Sequence, residues 1–195
     1  METPEEHKLR AIRLTTACRF SAADRLRRHE RFSLFSITMS SLAVVIVSLM
    51  EPFGLKLAIP SNAVNLICAA LSLLILVVSL MVSGNKYGER AEKMHAGGVE
   101  INSVARRLEP AIKAANKDEI ERLTDTYENI LKIYENHKPL DYKVAQITSY
   151  AEHYKITSID RIWVKVLLLA DVFPHIWPIA IVCWLISFAV KGVGF

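Results

Sequence analysis

The stretch SLMVSGNKYGERAEKMHAGG, residues 79–98, passes from a segment without charge into one with a charge every few positions. It overlaps the end of a run of 20 residues, Ala63 to Val82, that contains no Asp, Glu, Lys or Arg. A similar run of 19 residues extends from Phe32 to Met50. At a rise of about 1.5 Å per residue, either run can cross a hydrocarbon core of about 30 Å. The sequence therefore predicts two transmembrane helices, because a chain of 195 residues has too little other protein to bury both runs.

A third apolar run, from Val166 to Val190, contains ionisable residues and two prolines. Its last 19 residues, from Val172, lack Lys, Arg, Asp and Glu, which is enough for a span. Pro174 and Pro178 each remove a backbone donor, so we expect a broken or kinked helix there. We predict a third transmembrane helix, with a re-entrant or surface-lying helix as the alternative.

Asp171 and His175 lie four positions apart in this run, so they share a face of a helix. One interpretation is that they form a pair that acts as a proton-sensitive gate. The other is that they lie near the membrane interface and cap a helix that begins at the prolines, and we favour this second interpretation.

The basic residues predict the orientation. Residues 1–31 carry eight Lys or Arg, the connection 51–62 carries only Lys56, and residues 83–165 carry fourteen together with thirteen acidic residues. Because cytoplasmic flanks retain Lys and Arg, we expect the N-terminus and the middle segment to be cytoplasmic and the first run to be a retained span. The charges also suggest that RLRRHER, residues 25–31, is attracted to anionic lipid, and no direct nucleic-acid binding is expected.

The middle segment shows a helical pattern and no strand pattern. Val104, Leu108 and Ile112 are four apart, and the apolar positions from Ile120 to Tyr134 alternate at three and four, which indicates packing within a helical bundle or pairing of subunits. We expect the second span to continue past Gly84 as one long helix that weakens near its two adjacent glycines. Further helices are predicted to begin at Asn116 or Asp118 and to cover about Tyr142 to Tyr154, with a stop and an extended corner at His137, Lys138 and Pro139 between them.

The predicted fold class is an all-α integral membrane protein with a two-span transmembrane hairpin, a cytoplasmic helical lobe and a C-terminal third transmembrane helix. The predicted parts are a basic cytoplasmic N-terminal helix (1–31), the transmembrane hairpin (32–83), the cytoplasmic helical lobe (84–165) and the C-terminal hydrophobic segment (166–195).

Polar residues in the first two spans lie on one side of each helix. In the second span they fall within an arc of about 60° at 100° per residue. They indicate either close helix packing through small hydroxyl side chains or the lining of a watery path. The residues are Asn65, Cys68, Ser72, Ser79 and Ser83 in the second span, and Ser33, Ser36, Ser40, Ser41 and Ser48 in the first.

No enzyme motif is found: GxGxxG, GxxxxGK followed by Ser or Thr, HExxH and GxSxG are all missing from the sequence. The six histidines are dispersed, and Cys18, Cys68 and Cys183 are too far apart in sequence to indicate a disulfide framework or a CxxC site. We therefore expect no catalytic residues, no metal site and no cofactor.

The order of the parts resembles a known family. A basic arm, a tight hairpin, the charged continuation ERAEKMHAGGVEINSVARRLEP (89–110), a heptad-like helix and the corner YENHKPLDYK (134–143) follow each other. This order resembles the SLATT domain, the two-span effector found beside nucleotide-second-messenger and SLOG-type sensors in prokaryotic defence loci. The corner and the helix around His95 resemble most the branch that accompanies reverse transcriptases. A third span would depart from the family's two-span topology.

The resemblance implies a multi-pass protein of the prokaryotic inner membrane whose partners are the lipid bilayer, further copies of the chain, and a sensor or reverse transcriptase encoded nearby. It implies no catalytic set. His137, Asp141 and Tyr142 match the family's corner motif, and we expect the first two to cap helix ends and the tyrosine to pack beneath them.

Three functions follow as alternatives. The first is an anti-phage effector that oligomerises and permeabilises or depolarises the inner membrane when an infection triggers it. The second is a non-conducting membrane scaffold whose lobe recruits a partner. The third is a proton-coupled transporter, which depends on Asp171 and His175 and lacks the internal repeats typical of transporters.

Overall fold

The computed structural model describes residues 3–54, 60–151 and 153–190, and in these ranges every regular element is an α-helix. The all-α fold class is therefore confirmed. The helices are α1 (Pro4–Met50), α2 (Ser61–Asn85), α3 (Tyr87–Lys113), α4 (Lys117–Ile133), α5 (Pro139–Ser149) and α6 (Ser158–Val190).

Two segments of the described chain are long and apolar enough to cross a membrane. They are α1 and Ser61–Lys113, whose apolar part is α2. The remaining predicted span lies within α6, which continues through Pro174 and Pro178 as helix. The expected break at these prolines is therefore not found, because a helix can lose the bonds of single backbone donors and continue. That the C-terminal part of α6 crosses the membrane stays a prediction.

The junction between α2 and α3 differs from the single long helix that we expected. α2 ends at Asn85, and Lys86 has φ 48° and ψ 44°, in the left-handed region, before α3 begins at Tyr87. The Lys86 N–H donates to the carbonyl oxygen of Ser83 at 3.3 Å, which satisfies one of the free carbonyls at the end of α2. The helical path is therefore interrupted at the end of the apolar segment.

Gly97 and Gly98 lie inside α3 and do not end it. A Cβ atom on Gly97 would lie 2.9 Å from a ring carbon of Tyr134, and one on Gly98 would lie 2.9 Å from a ring carbon of Phe20. These distances are shorter than van der Waals contact between carbon atoms. The two glycines therefore allow α1 and the end of α4 to approach α3 closely, and that they weaken the helix stays a prediction.

The described residues form two compact units. The lobe unit contains the residues up to Arg27 and Gly88–Leu169, and the hairpin unit contains Arg28–Tyr87 and the residues from Ala170 onward. α1 and α6 contribute residues to both units.

The core of the lobe unit is built by the N-terminal part of α1 together with α3 and α4. The apolar seam predicted from the sequence lies in this core, so its role in packing within one bundle is confirmed. Asn116 is the N-cap of α4 and accepts a hydrogen bond from the Glu119 N–H at 3.2 Å. The main buried residues are Leu9, Ile12, Ile101, Val104, Leu108, Leu123 and Ile130, with Ile112, Ile120, Tyr127 and Tyr134 packed against them.

The hairpin unit has a small apolar contact between α1 and α2. Val44 packs with Val64 and Cys68, and further apolar side chains border this contact. Most of the apolar surface of α2 remains uncovered, including Leu66, Leu73 and Leu80. A surface of this kind is suited to lipid rather than to water.

Candidate functional site

A polar cluster in the hairpin unit joins α1 to α6. It contains His29 and Ser33 from α1, Asp171 and His175 from α6, and Tyr87 from the start of α3. His29 precedes the first apolar run and Tyr87 follows the second. Because α1 and α2 are the two arms of a hairpin, these residues lie at the end of the hairpin opposite its turn. The cluster is therefore at one boundary of the apolar segments.

The His29 ring lies between two partners from α6. Its Nε2 is 2.6 Å from Oδ2 of Asp171, and its Nδ1 is 2.6 Å from Nε2 of His175. The other nitrogen of His175, Nδ1, is 2.7 Å from Oγ of Ser33. The Tyr87 ring stacks on His29 with centroids 5.5 Å apart. These contacts link the Asp171 carboxylate to the Ser33 hydroxyl through the two histidine rings in one hydrogen-bonded series.

Three short contacts in the chain need three hydrogens, and the groups supply them without conflict. With Asp171 ionised, His29 donates its Nε2–H to the carboxylate and leaves Nδ1 as an acceptor. His175 then donates its Nε2–H to this Nδ1, and the Ser33 hydroxyl donates to Nδ1 of His175. Because His29 and Ser33 are buried, this pairing keeps polar groups satisfied away from water.

The cluster continues along α1 as a row of serines. Ser33, Ser36 and Ser40 follow His29 at spacings of four, three and four, so they lie on the same side of the helix. All three serines are buried, and the hydroxyls of Ser36 and Ser40 have no hydrogen-bond partner among the described residues. Ser40 also lines a groove of about 330 Å³ between α1 and α6. The polar side of α1 is therefore turned toward α6.

The polar residues predicted in α2 have a different environment. Cys68 is buried against Val44 of α1, whereas Asn65, Ser72 and Ser83 are exposed. The Ser72 hydroxyl donates to the carbonyl oxygen of Cys68 at 2.8 Å, as serines commonly do inside a helix. The stripe of α2 and the serine row of α1 therefore do not come together into one lined path within this chain. Ser79 of the same stripe is half-buried.

Asp171 and His175 do not cap a helix that begins at the prolines. α6 begins at Ser158, so both residues lie inside a continuous helix and their contacts are with α1. The capping part of the favoured interpretation was therefore wrong, whereas the position near the membrane interface stays a prediction. The cluster is also not arranged as a metal site, because the two ring nitrogens of His29 face different partners, and no group of metal ligands is found among the described residues.

The corner between α4 and α5 is part of the lobe unit. Asp141 accepts the Lys138 N–H at 2.8 Å, so it caps the start of α5 as expected. His137 does not cap a helix, and its Nδ1 is buried without a hydrogen-bond partner in the described chain. Burial, followed by the charge of Arg19, lowers the pKa of His137. Tyr142 is exposed rather than packed beneath the corner.

Two arginines of the N-terminal segment are buried against this corner. Arg25 donates to Asp141 through Nε at 2.7 Å and Nη2 at 3.0 Å, and both side chains are at most 5% exposed. Arg19 donates to the carbonyl oxygen of Glu135, and its guanidinium carbon lies 5.9 Å from the centre of the Tyr134 ring. Arg25 is therefore not available to bind lipid, which corrects the expectation for this part of RLRRHER.

Cys18 is buried beside the same ion pair. Burial, and next the charge of Asp141, raise the pKa of its thiol to about 12. The thiol therefore stays protonated at neutral pH and is a poor nucleophile or metal ligand. Its role is to pack with Leu14 and Ala145 in a second apolar contact between α1 and α5.

Sequence reasoning missed His29, Arg19 and Arg25. All three belong to a basic segment that looks like a solvated positive-inside flank. One signal was available for His29, because the serine row that begins at Ser33 extends back to it at helical spacing. The partners of His29 and Arg25 could not be found in this way, since they are more than 100 residues distant in the chain.

Comparison with known families gives one match over nearly the whole chain. The model of the SMODS and SLOG-associating 2TM effector domain family 5 matches residues 1–192. No curated protein and no solved structure matches the chain. The match does not distinguish a reverse-transcriptase-associated branch, which stays a prediction. With two apolar helices that can cross a membrane and a match of this length, the chain belongs to the SMODS and SLOG-associating two-transmembrane (SLATT) effector family.

Proposed function

We propose that this protein is the membrane effector of a prokaryotic anti-phage conflict system, and that it oligomerises and permeabilises or depolarises the inner membrane when an infection triggers it. In this proposal the N-terminus and the lobe unit are cytoplasmic, and a sensor or reverse transcriptase encoded nearby supplies the trigger. The membrane effector class follows from the family.

The observation that carries the proposal is the uncovered polar stripe of α2. Asn65, Ser72 and Ser83 are exposed on a helix whose other exposed side chains are largely apolar. Polar side chains that face lipid are unfavourable unless they find a partner or water, and of these three Ser72 has a partner in its own helix, the carbonyl oxygen of Cys68. A single hairpin cannot enclose a water-filled path, so several copies are required for the stripe to face water. The proposal therefore assigns the stripe to the inner side of an assembled pore.

The test is the membrane potential of bacteria that express the chain alone and together with its neighbouring genes under phage challenge. We expect depolarisation by the parent chain and its loss in a Ser72→Leu, Ser79→Leu variant, because two leucines make the stripe apolar and narrow the path. An Ala70→Leu variant is the matched control, since Ala70 is exposed on the opposite side of α2. It should depolarise like the parent.

The control separates the proposal from the scaffold. If the parent inserts in the membrane and never depolarises the cells, the chain does not form a pore and a non-conducting scaffold explains it better. Equal loss in the stripe variant and in the Ala70→Leu control would mean that any added bulk on α2 blocks the activity. The stripe would then not be the lining.

A further inference from the structure

The geometry points to a proton-operated latch: we propose that His29, Asp171 and His175 bind one proton while they hold α1 against α6, and that a second proton releases the contact. The proposal is independent of pore formation, because it concerns how two helices of one chain are held together. Its ligand is the hydronium ion of the surrounding water.

The groups that face His29 define what the site can bind. From α6 they are Asp171, whose side chain is 23% exposed, and His175, and from α3 the phenol of Tyr87. Tyr87 also packs edge-on against the His175 ring, with centroids 5.7 Å apart. Protons can therefore enter at Asp171 or at the half-buried His175, while His29 and Ser33 are buried.

A first added proton fits the cluster without moving any ring. When His29 becomes an imidazolium, it donates to Asp171 through Nε2 and to His175 through Nδ1. His175 then carries its hydrogen on Nδ1 and donates it to Ser33, whose own hydroxyl hydrogen turns away. The three short contacts still hold three hydrogens. The charge of the imidazolium is balanced by the carboxylate, which favours this state in a site of low polarity.

A second added proton does not fit. If both rings are imidazolium ions, an N–H group stands on each side of the 2.6 Å contact between His29 and His175, where there is room for one hydrogen. If Asp171 takes the second proton instead, the His29 imidazolium loses its counter-charge, because Asp171 is the one acidic group among the residues named above as facing it. In either case the contact between α1 and α6 is weakened.

The release has a local consequence on α1. Ser36 lies one turn beyond Ser33, is buried and has a hydroxyl without a partner in the described residues. It lies on the same side of α1 as His29 and Ser33, so we expect loss of the contact with α6 to open Ser36 to water. The exposure of this position reports the state of the latch.

The test is thiol labelling of a Ser36→Cys, Ser103→Cys variant of the full chain in liposomes, with a membrane-permeant maleimide and mass spectrometry of each labelled peptide. Ser103 is exposed on α3 in the lobe unit, outside the apolar segments, so the ratio of the two labelling rates cancels the pH dependence of the thiol reaction. We expect this ratio to rise at least tenfold between about pH 7.5 and about pH 5, where imidazoles become charged.

The matched control is the same variant with His175→Gln. The glutamine amide can donate to His29 Nδ1 and cannot take up a proton, so protonation of Asp171 is the only route to release that remains, and we expect a much smaller increase of the ratio on acidification than in the parent. An increase equal to that of the parent, or no increase in the parent, would overturn the proposal. Nitrogen-15 NMR of the histidine rings in lipid nanodiscs gives a second measurement if the cysteine variant does not fold. Two imidazolium rings at acid pH with the contact between them intact would equally overturn it.

Discussion

The lobe unit and the hairpin unit are both built from α-helices, but they differ in which side chains they bury and which they expose. In the lobe unit the core is apolar and the surface is charged. The buried Arg25 meets a carboxylate, and the buried Arg19 donates to a backbone carbonyl although its Nε has no partner among the described residues. In the hairpin unit the surface is apolar apart from the polar stripe of α2, and the buried groups include His29, Ser33 and Ser36. The difference shows that the lobe unit buries apolar surface, which water cannot solvate, and that α1 buries polar groups, which lipid cannot solvate, while the stripe of α2 is the exception.

Breaking the buried ion pair of the lobe unit is expected to have the largest effect on stability. Arg25→Met leaves the Asp141 carboxylate buried without its counter-charge, so we expect a loss of about 3–5 kcal/mol in the free energy of unfolding. Asp141 also caps α5, so a shift of its unpaired carboxylate would weaken the start of that helix as well. Thermal unfolding in detergent, followed by circular dichroism, measures the change.

Two controls make this test specific to burial. Adding Asp141→Asn to Arg25→Met removes the unpaired charge and keeps an acceptor for the Lys138 N–H, so the double variant should be more stable than Arg25→Met alone. Arg13→Gln removes an ion pair with Glu109 in which both side chains are exposed, and it should leave the unfolding unchanged. An Arg25→Met protein as stable as the parent would contradict the buried pair.

Two glycines compare a closely packed helix face in the lobe unit with an open helix face in the hairpin unit. Gly98→Ala puts a methyl group 2.9 Å from the Phe20 ring, and such overpacking costs about 1–3 kcal/mol. A gain of about 1 kcal/mol in helix propensity offsets part of this, so we expect a net loss near 1 kcal/mol. The free energy of unfolding in detergent measures it.

Gly84 in α2 is the matched control, because a Cβ atom there would have no atom within 4 Å. Gly84→Ala should therefore not lower the free energy of unfolding, and the higher helix propensity of alanine should raise it. If Gly98→Ala is also a gain, α3 and α1 are less closely packed around Phe20 than the structure indicates.

The parts of the fold that follow from local patterns were predictable. Charge-free length predicted the apolar helices, and the spacing of Val104, Leu108 and Leu123 predicted the seam that fills the core of the lobe unit. These patterns state which face of a helix is buried. They do not state which helix covers it, because periodicity carries no information on a partner distant in the chain.

The candidate site depends on that missing information. Asp171 and His175 were recognised as an unusual pair in an apolar run, but their partner His29 is 142 residues before Asp171 and 146 before His175. The prolines led to a second error. Because proline usually breaks or kinks a helix, we predicted a helix start at Pro174 and Pro178, where α6 is already four turns long. Only packing between helices shows that the pair belongs to a cluster.

The smallest predicted effect concerns pH and the corner of the lobe unit. Burial and the charge of Arg19 lower the pKa of His137 in the folded chain below its ordinary value of about 6.5. The unfolded chain therefore binds a proton at this ring more readily than the folded chain. The contribution of neutral His137 to stability is complete above the unfolded pKa and is lost as the pH falls through that value toward the lower folded pKa.

We therefore expect the melting temperature of the parent to fall on acidification below about pH 6.5, and part of this fall to be missing in His137→Gln, which cannot be protonated. His153 is the matched control, because it is an exposed histidine of the same unit, so His153→Gln should melt with the pH dependence of the parent. The measurement is the melting temperature of the parent, His137→Gln and His153→Gln at several pH values. If His137→Gln follows the parent at every pH, the buried ring is free to take up its proton, and the corner tolerates a charge that its apolar surroundings should exclude.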